Sequence, residues 1–187
     1  ELLVYDEYDG RAGGTVGWAQ DWPRPLQAVE GELVQTQGYY QRRFVRPVGS
    51  NGQTLWIAVT GRSAEAPALN VIHSIMGLRD GNIHQQNGLG FDKGSDEGRT
   101  PFGGRTGIAA TKKQTVLCKY AFAASATKPG AFDIAVSVWA GEGTGENVDP
   151  NKPPLVTGAY QGTTVDRFYA GAQKGAKMFI DRVAVAT

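Results

Sequence analysis

Apolar side chains recur at every second position in one short run after another of this chain, a period that builds strands and not amphipathic helices. Residues 132–139 are the clearest case. Phe132, Ile134, Val136 and Val138 share one face of an extended segment, while Asp133, Ala135, Ser137 and Trp139 share the other. The same reading places strands over about residues 2–8, 29–35, 39–46, 54–60, 69–78, 115–122, 132–139, 164–169 and 178–185. Turn signals separate them: Gly49-Ser50-Asn51-Gly52, Asp80-Gly81-Asn82 and Lys128-Pro129-Gly130. Residues 87–105 and 140–154, rich in glycine and acidic residues, read as long loops, and loops of that length are usually functional or mobile. A turn or two of helix fits residues 26–33 or 170–177.

The two ends of the chain carry the most specific signal. The last strand reads Met178-Phe179-Ile180-Asp181-Arg182-Val183-Ala184-Val185, and strict alternation puts Asp181 on one face with Phe179, Val183 and Val185. A carboxylate among apolar neighbours needs a cation, hydrogen bonds or protonation. One reading joins the terminal strands around an ion; the other gives Asp181 a salt bridge to Arg11 or Arg43, or leaves it exposed.

At 187 residues, with 26 glycines and 9 prolines spread throughout, the chain is expected to form a single all-β domain, an antiparallel sandwich. A net charge of +1, from 19 basic and 18 acidic residues, gives no reason to expect nucleic acid or an anionic membrane as partner. The expected partner is neutral, or another protein. Cys118 is the only cysteine, so no intrachain disulfide can form, and its register with Val116, Tyr120 and Phe122 marks a core thiol. No run approaches the ~20 apolar residues needed to insert in a membrane as a helix. A start at Glu1 fits a processed secreted protein and a trimmed piece of a longer one equally well.

Several segments together carry a resemblance: Asp6-Glu7-Tyr8-Asp9-Gly10, Gly17-Trp18-Ala19-Gln20-Asp21-Trp22, Thr54-Leu55-Trp56-Ile57-Ala58-Val59, Val136-Ser137-Val138-Trp139 and Phe179-Ile180-Asp181-Arg182-Val183-Ala184-Val185. They resemble the concanavalin A-like lectin/glucanase superfamily, and within it the laminin-G-like jelly-roll domains. The resemblance implies two antiparallel sheets and, in many members, glycan binding outside the cell or at its surface. It also implies a structural calcium between the first and last strands, with Asp181 as the foremost ligand and Glu7 or Asp6 beside it. A backbone carbonyl near Gly10 or in the turn at residues 49–52 would complete the oxygen set that calcium prefers.

Enzyme readings fare poorly at this level. The family 16 glycosidases carry Glu-x-Asp-x-Glu on one strand, and no such pattern exists here, so the chain is expected not to be an enzyme. Glu142 with Glu146, or Asp96 with Glu97, are the remaining carboxylate pairs. Residues 92–98 lack calcium-loop spacing, Gly103-Gly104-Arg105-Thr106-Gly107 lacks a P-loop lysine, and His73 and His84 have no metal-ligand companion. Sugars present apolar faces that stack on flat side chains, so Trp139, Trp56, Tyr39, Tyr40 and Trp22 are the candidate glycan contacts, with Trp139 foremost and core packing as the alternative for each. Two functions stand: a non-catalytic glycan-binding module, and a self-assembling subunit of an extracellular polymer.

Overall fold

In a computed structural model, the alternating runs form two antiparallel sheets that close on a shared apolar core. The structure describes residues 1–6, 17, 19, 28–29, 31–35, 38–65, 73–79, 88–92, 96–172 and 177–187; for residues 4, 28–29, 33, 35, 38–40, 73–79 and 92 it describes the backbone alone. The strands are β1 (Leu2–Asp6), β2 (Ala28–Val29), β3 (Glu32–Gln35), β4 (Gly38–Val48), β5 (Thr54–Ser63), β6 (His73–Arg79), β7 (Gly88–Asp92), β8 (Glu97–Arg99), β9 (Arg105–Ala109), β10 (Gln114–Ala124), β11 (Phe132–Glu142), β12 (Val156–Gly162), β13 (Val165–Ala172) and β14 (Met178–Ala186). The larger sheet runs β12-β11-β10-β5-β14-β3-β2, with β1 also on β14, and the smaller runs β4-β13-β6-β7-β8-β9. The terminal strands are neighbours, as expected: Leu2 lies opposite Ala186 and Asp6 opposite Val183.

Alternation decides which face each strand buries. Leu55, Ile57 and Val59 of β5, Val116, Cys118, Tyr120 and Phe122 of β10, and Ile134, Val136 and Val138 of β11 point into the core, where Phe44, Leu89, Phe91 and Phe168 of the smaller sheet meet them. Cys118 is buried there, and burial, partly offset by a hydrogen bond donated by Tyr120, pushes its thiol up to about 12.

The last strand departs from the expected pattern. Its pairing with β5 shifts register between Ile180 and Arg182, a β-bulge centred on Asp181. Met178 and Ile180 before it and Val183 and Val185 after it are all fully buried, while Phe179 is turned to the other face, beneath the Arg62 guanidinium at 4.0 Å from the ring centroid. Asp181 therefore does not share an apolar face with Phe179, Val183 and Val185, because the extra residue inverts the phase of the strand.

One of the two expected long loops contains strands: residues 87–105 include β7, β8 and a 3-10 turn at Pro101–Gly103. Of the other, all but the first three residues, which end β11, form the loop between β11 and β12, as expected. Where residues 26–33 and 170–177 are described they are largely strand, and the expected helical turns are not among them.

Asp6, on β1 of the larger sheet, accepts a hydrogen bond from Arg42 Nη1 at 2.5 Å, and Arg42 lies on β4 of the smaller sheet. The pair is 3% and 1% exposed, so it ties the two sheets together through the interior. Removing one partner strands a buried charge, at a cost of about 3–5 kcal/mol, whereas replacing both with apolar groups is close to neutral. We therefore expect Arg42→Met to lower unfolding stability by about 3–5 kcal/mol in urea titration and Arg42→Met/Asp6→Leu to restore most of it.

Candidate functional site

The outward face of the larger sheet is built in rows set by strand register. Ala186, Trp56, Lys119, Ser137 and Thr157 lie side by side across β14, β5, β10, β11 and β12. The next row is Ala184, Ala58, Leu117 and Trp139, and the third is Arg182, Thr60, Thr115 and Gly141. Small residues in the second row leave a depression, and the loop after β11 rises beside it. The result is a cleft of about 460 Å³ with Ala58, Leu117, Thr60 and Thr115 lining it on the sheet side, Thr144, Gly145, Glu146 and Val148 on the loop side, and Arg182 between them.

Hydroxyl groups anchor the loop to the sheet. Thr115 Oγ1 donates to Gly143 O at 3.0 Å and meets Thr60 Oγ1 at 2.8 Å; since Thr115 has one hydroxyl proton, Thr60 is the donor to it. Gly143 N in turn donates to Lys113 O, and Arg182 Nη1 donates to Thr144 O at 3.2 Å. Gly143 and Gly145 have φ of 93° and 113°, which lets the loop turn sharply over the cleft. The Glu146 carboxylate accepts from Thr144 N at 2.8 Å and Thr144 Oγ1 at 2.9 Å. Hydrogen bonds from its own backbone and from the Thr144 hydroxyl, with the nearby Arg182 charge, hold its pKa below the usual carboxylate value.

Trp139 is on the outward face, as alternation requires, but it is only 8% exposed. Its indole N–H donates to Lys152 O at 2.8 Å, so the loop after β11 covers it, and it offers no open face for stacking. Trp56 packs beside it with ring centroids 5.8 Å apart and remains half-buried, with Lys119 Nζ 5.5 Å from its ring centroid. Of the aromatic candidates, Trp56 is the described one left half-buried, and it lies one row from Ala58 and Leu117 of the cleft lining. Tyr39 and Tyr40 lie on β4 of the other sheet, with side chains outside the described residues, and Trp22 lies outside them altogether.

The acidic candidates have cations of the chain's own. Lys113 Nζ lies 2.6 Å from Asp181 Oδ1 and 3.2 Å from Glu32 Oε1, and Arg62 clasps Glu32 through Nε and Nη2 at 3.1 and 2.6 Å. Asp181 is therefore salt-bridged to Lys113 and not to Arg43, while Arg11 lies outside the described residues. Burial alone would lower the Lys113 pKa; hydrogen bonds to Asp181 and Glu32 outweigh it and raise the value. Calcium calls for six to eight oxygens. Here the oxygens of Asp181, Glu32 and Asp6 turn to an ammonium and two guanidinium groups, and among the described residues no three His, Cys, Asp or Glu side chains converge on one point. The described members of this donor set do not fit calcium. Glu7 and His84 lie outside the described residues, and of His73 the backbone alone is described.

Among the carboxylate pairs, Glu142 binds Lys112 at 3.0 Å while Glu146 turns to Thr144, and Glu97 accepts from Gly107 N at 2.9 Å. Sequence reasoning missed Lys113, Lys119 and Arg182. Lys119 was legible as an outward position of its strand; Arg182 was hidden by the bulge.

No protein-family model matches the chain, and no curated protein does. Solved structures do. Trypanosoma rangeli sialidase in complex with 2,3-difluorosialic acid superposes with a TM-score of 0.54 at 17% identity over 98% of this chain, which spans only 30% of the sialidase chain. Alginate lyase Aly36B in complex with an alginate trisaccharide gives 0.53 at 8% identity, covering 100% of this chain and 99% of that one. The exoplasmic/lumenal domain of VIP36, in its Ca2+- and mannose-bound form, gives 0.50 at 8% identity, covering 99% and 88%. The chain has the concanavalin A-like jelly-roll fold. The expectation that it is not an enzyme is overturned by the same comparisons: the fold is shared with a sialidase and an alginate lyase, so the missing Glu-x-Asp-x-Glu strand does not exclude catalysis.

The Lys113 and Asp181 pair yields a stability test. Lys113→Ala and Asp181→Ala should show a coupling of about 1 kcal/mol in a double-mutant cycle read by chemical denaturation, shrinking in high salt. Because the folded-state pKa of Lys113 is raised, its contribution is intact below the ordinary lysine value and is lost as pH rises through the folded one.

Proposed function

We propose that this domain binds saccharides on the outward face of its larger sheet. The observation that carries the reading is a cleft of about 460 Å³, one strand row from Trp56, with apolar Ala58 and Leu117 at its base and threonine hydroxyls and Arg182 around it. A sugar ring needs such a mixture: an aromatic flank for its C–H face, a shallow apolar seat, and polar groups for its hydroxyls. The shared fold with the mannose-bound VIP36 exoplasmic/lumenal domain and an alginate lyase with bound trisaccharide is consistent with this use. Secretion or display at the cell surface belongs to the same proposal. Among the described residues no helix is long and apolar enough to cross a membrane.

Calcium has no role in this reading, since Asp181 and Asp6 are engaged by Lys113 and Arg42. Polymerisation through the terminal strands is not favoured either. Strand β1 is already paired with β14, and the ends are joined by Glu1 N to Thr187 O at 2.8 Å and Thr187 N to Glu1 O at 2.9 Å.

A glycan array followed by calorimetry on the bound saccharide tests the proposal. Trp56→Ala should weaken binding by about 1–2 kcal/mol, roughly tenfold, and Ala58→Phe, which fills the cleft, should abolish it. Trp139→Ala should instead lower the melting temperature, because its ring is packed and not presented. Wild-type affinity in both the Trp56→Ala and Ala58→Phe variants would refute this location.

A further inference from the structure

Lys119 stands apart from its neighbours on the outward face. Lys112, Lys113 and Arg62 each hold a carboxylate, at 3.0, 2.6 and 2.6 Å respectively. Among the described residues no carboxylate lies within ion-pair distance of Lys119; its ammonium sits over Trp56, in the row that also holds Ser137. The side chain is half-buried beside the indole, so the charge is carried at the place where a sugar would stack.

Resting on the saccharide reading above, we infer that the ligand is anionic, a polysaccharide whose sugars bear carboxylate or sulfate groups. A ring that stacks on Trp56 displaces the Lys119 ammonium from over the indole and meets it with such a substituent, forming a charge-assisted hydrogen bond that a neutral sugar cannot make. Arg182 lines the cleft. Thr115, which shares a row with Arg182, is four residues from Lys119 along β10, and β10 and β14 lie on either side of β5. The backbone positions of the two residues thus lie ~13 Å apart along the strands and ~10 Å across them, a span suited to an oligosaccharide, although the Glu146 carboxylate beside Arg182 offsets the charge there. Glu146, the acid on the loop, does not cancel this pattern at Lys119, because its carboxylate is folded onto Thr144.

Native affinity electrophoresis of the full chain distinguishes the outcomes, using matched pairs of polysaccharides that differ only in charge. Suitable pairs are de-esterified against methyl-esterified homogalacturonan, and chondroitin sulfate against its desulfated, carboxyl-reduced form. We expect at least tenfold tighter binding to one or both of the anionic members, weakening as salt is raised. Lys119→Met, which keeps the aliphatic stem, should erase that preference, with circular dichroism confirming the fold. Equal binding to both members of every pair would overturn the anionic inference and leave the saccharide site standing. A preference that survives Lys119→Met would overturn the assignment to Lys119. Binding to no saccharide on these gels or on the glycan array would overturn both.

Discussion

One extra residue in the last strand governs the architecture of the larger sheet. β14 pairs with β5 along its length, while its other edge is divided between β3, opposite Met178 to Ile180, and β1, opposite Val183 to Ala186. Under strict alternation the two halves could not both bury their apolar side chains, since Ile180 and Val183 are separated by an odd number of positions. The bulge at Asp181 resolves the conflict. It leaves a carboxylate out of phase at the sheet, which Lys113 neutralises, and it sends Arg182 to the outward face where the cleft forms.

Much of this was legible in the residues and some was not. The runs at 115–122 and 132–139 became β10 and β11 with the expected faces, because both are long, regular and apolar on one side. The bulge was written in the spacing of Met178, Ile180, Val183 and Val185, but a reading that imposed one phase on the whole strand passed over it. Strands β7 and β12 escaped notice because glycine takes positions where a strand would carry apolar side chains. At Gly158 the reason is tertiary: the Phe102 ring occupies the space a Cβ would need, and no local pattern announces that. Trp139 illustrates a further limit. Its face followed from alternation, yet its burial comes from a loop that arrives later in the sequence.

Charge was the hardest part to read. The acidic residues at the two ends suggested a bound ion, and the chain answers that demand internally, with Arg42 reaching Asp6 across the interior and Lys113 bridging Glu32 and Asp181. Neither basic residue is near its partner in sequence, so the pairs exist only once the sheets are assembled. The same accounting makes Lys119 conspicuous.

The loop over the cleft is fastened at its foot and exposed at Thr144 and Glu146, since the Thr60 and Thr115 hydroxyls secure Gly143 while those residues reach outward. An anchored base separates the task of folding from the task of recognition. Substitutions or insertions between the base and Val148 would reshape one wall of the cleft while the sheet beneath keeps its register, so specificity could diverge here faster than the scaffold that carries it.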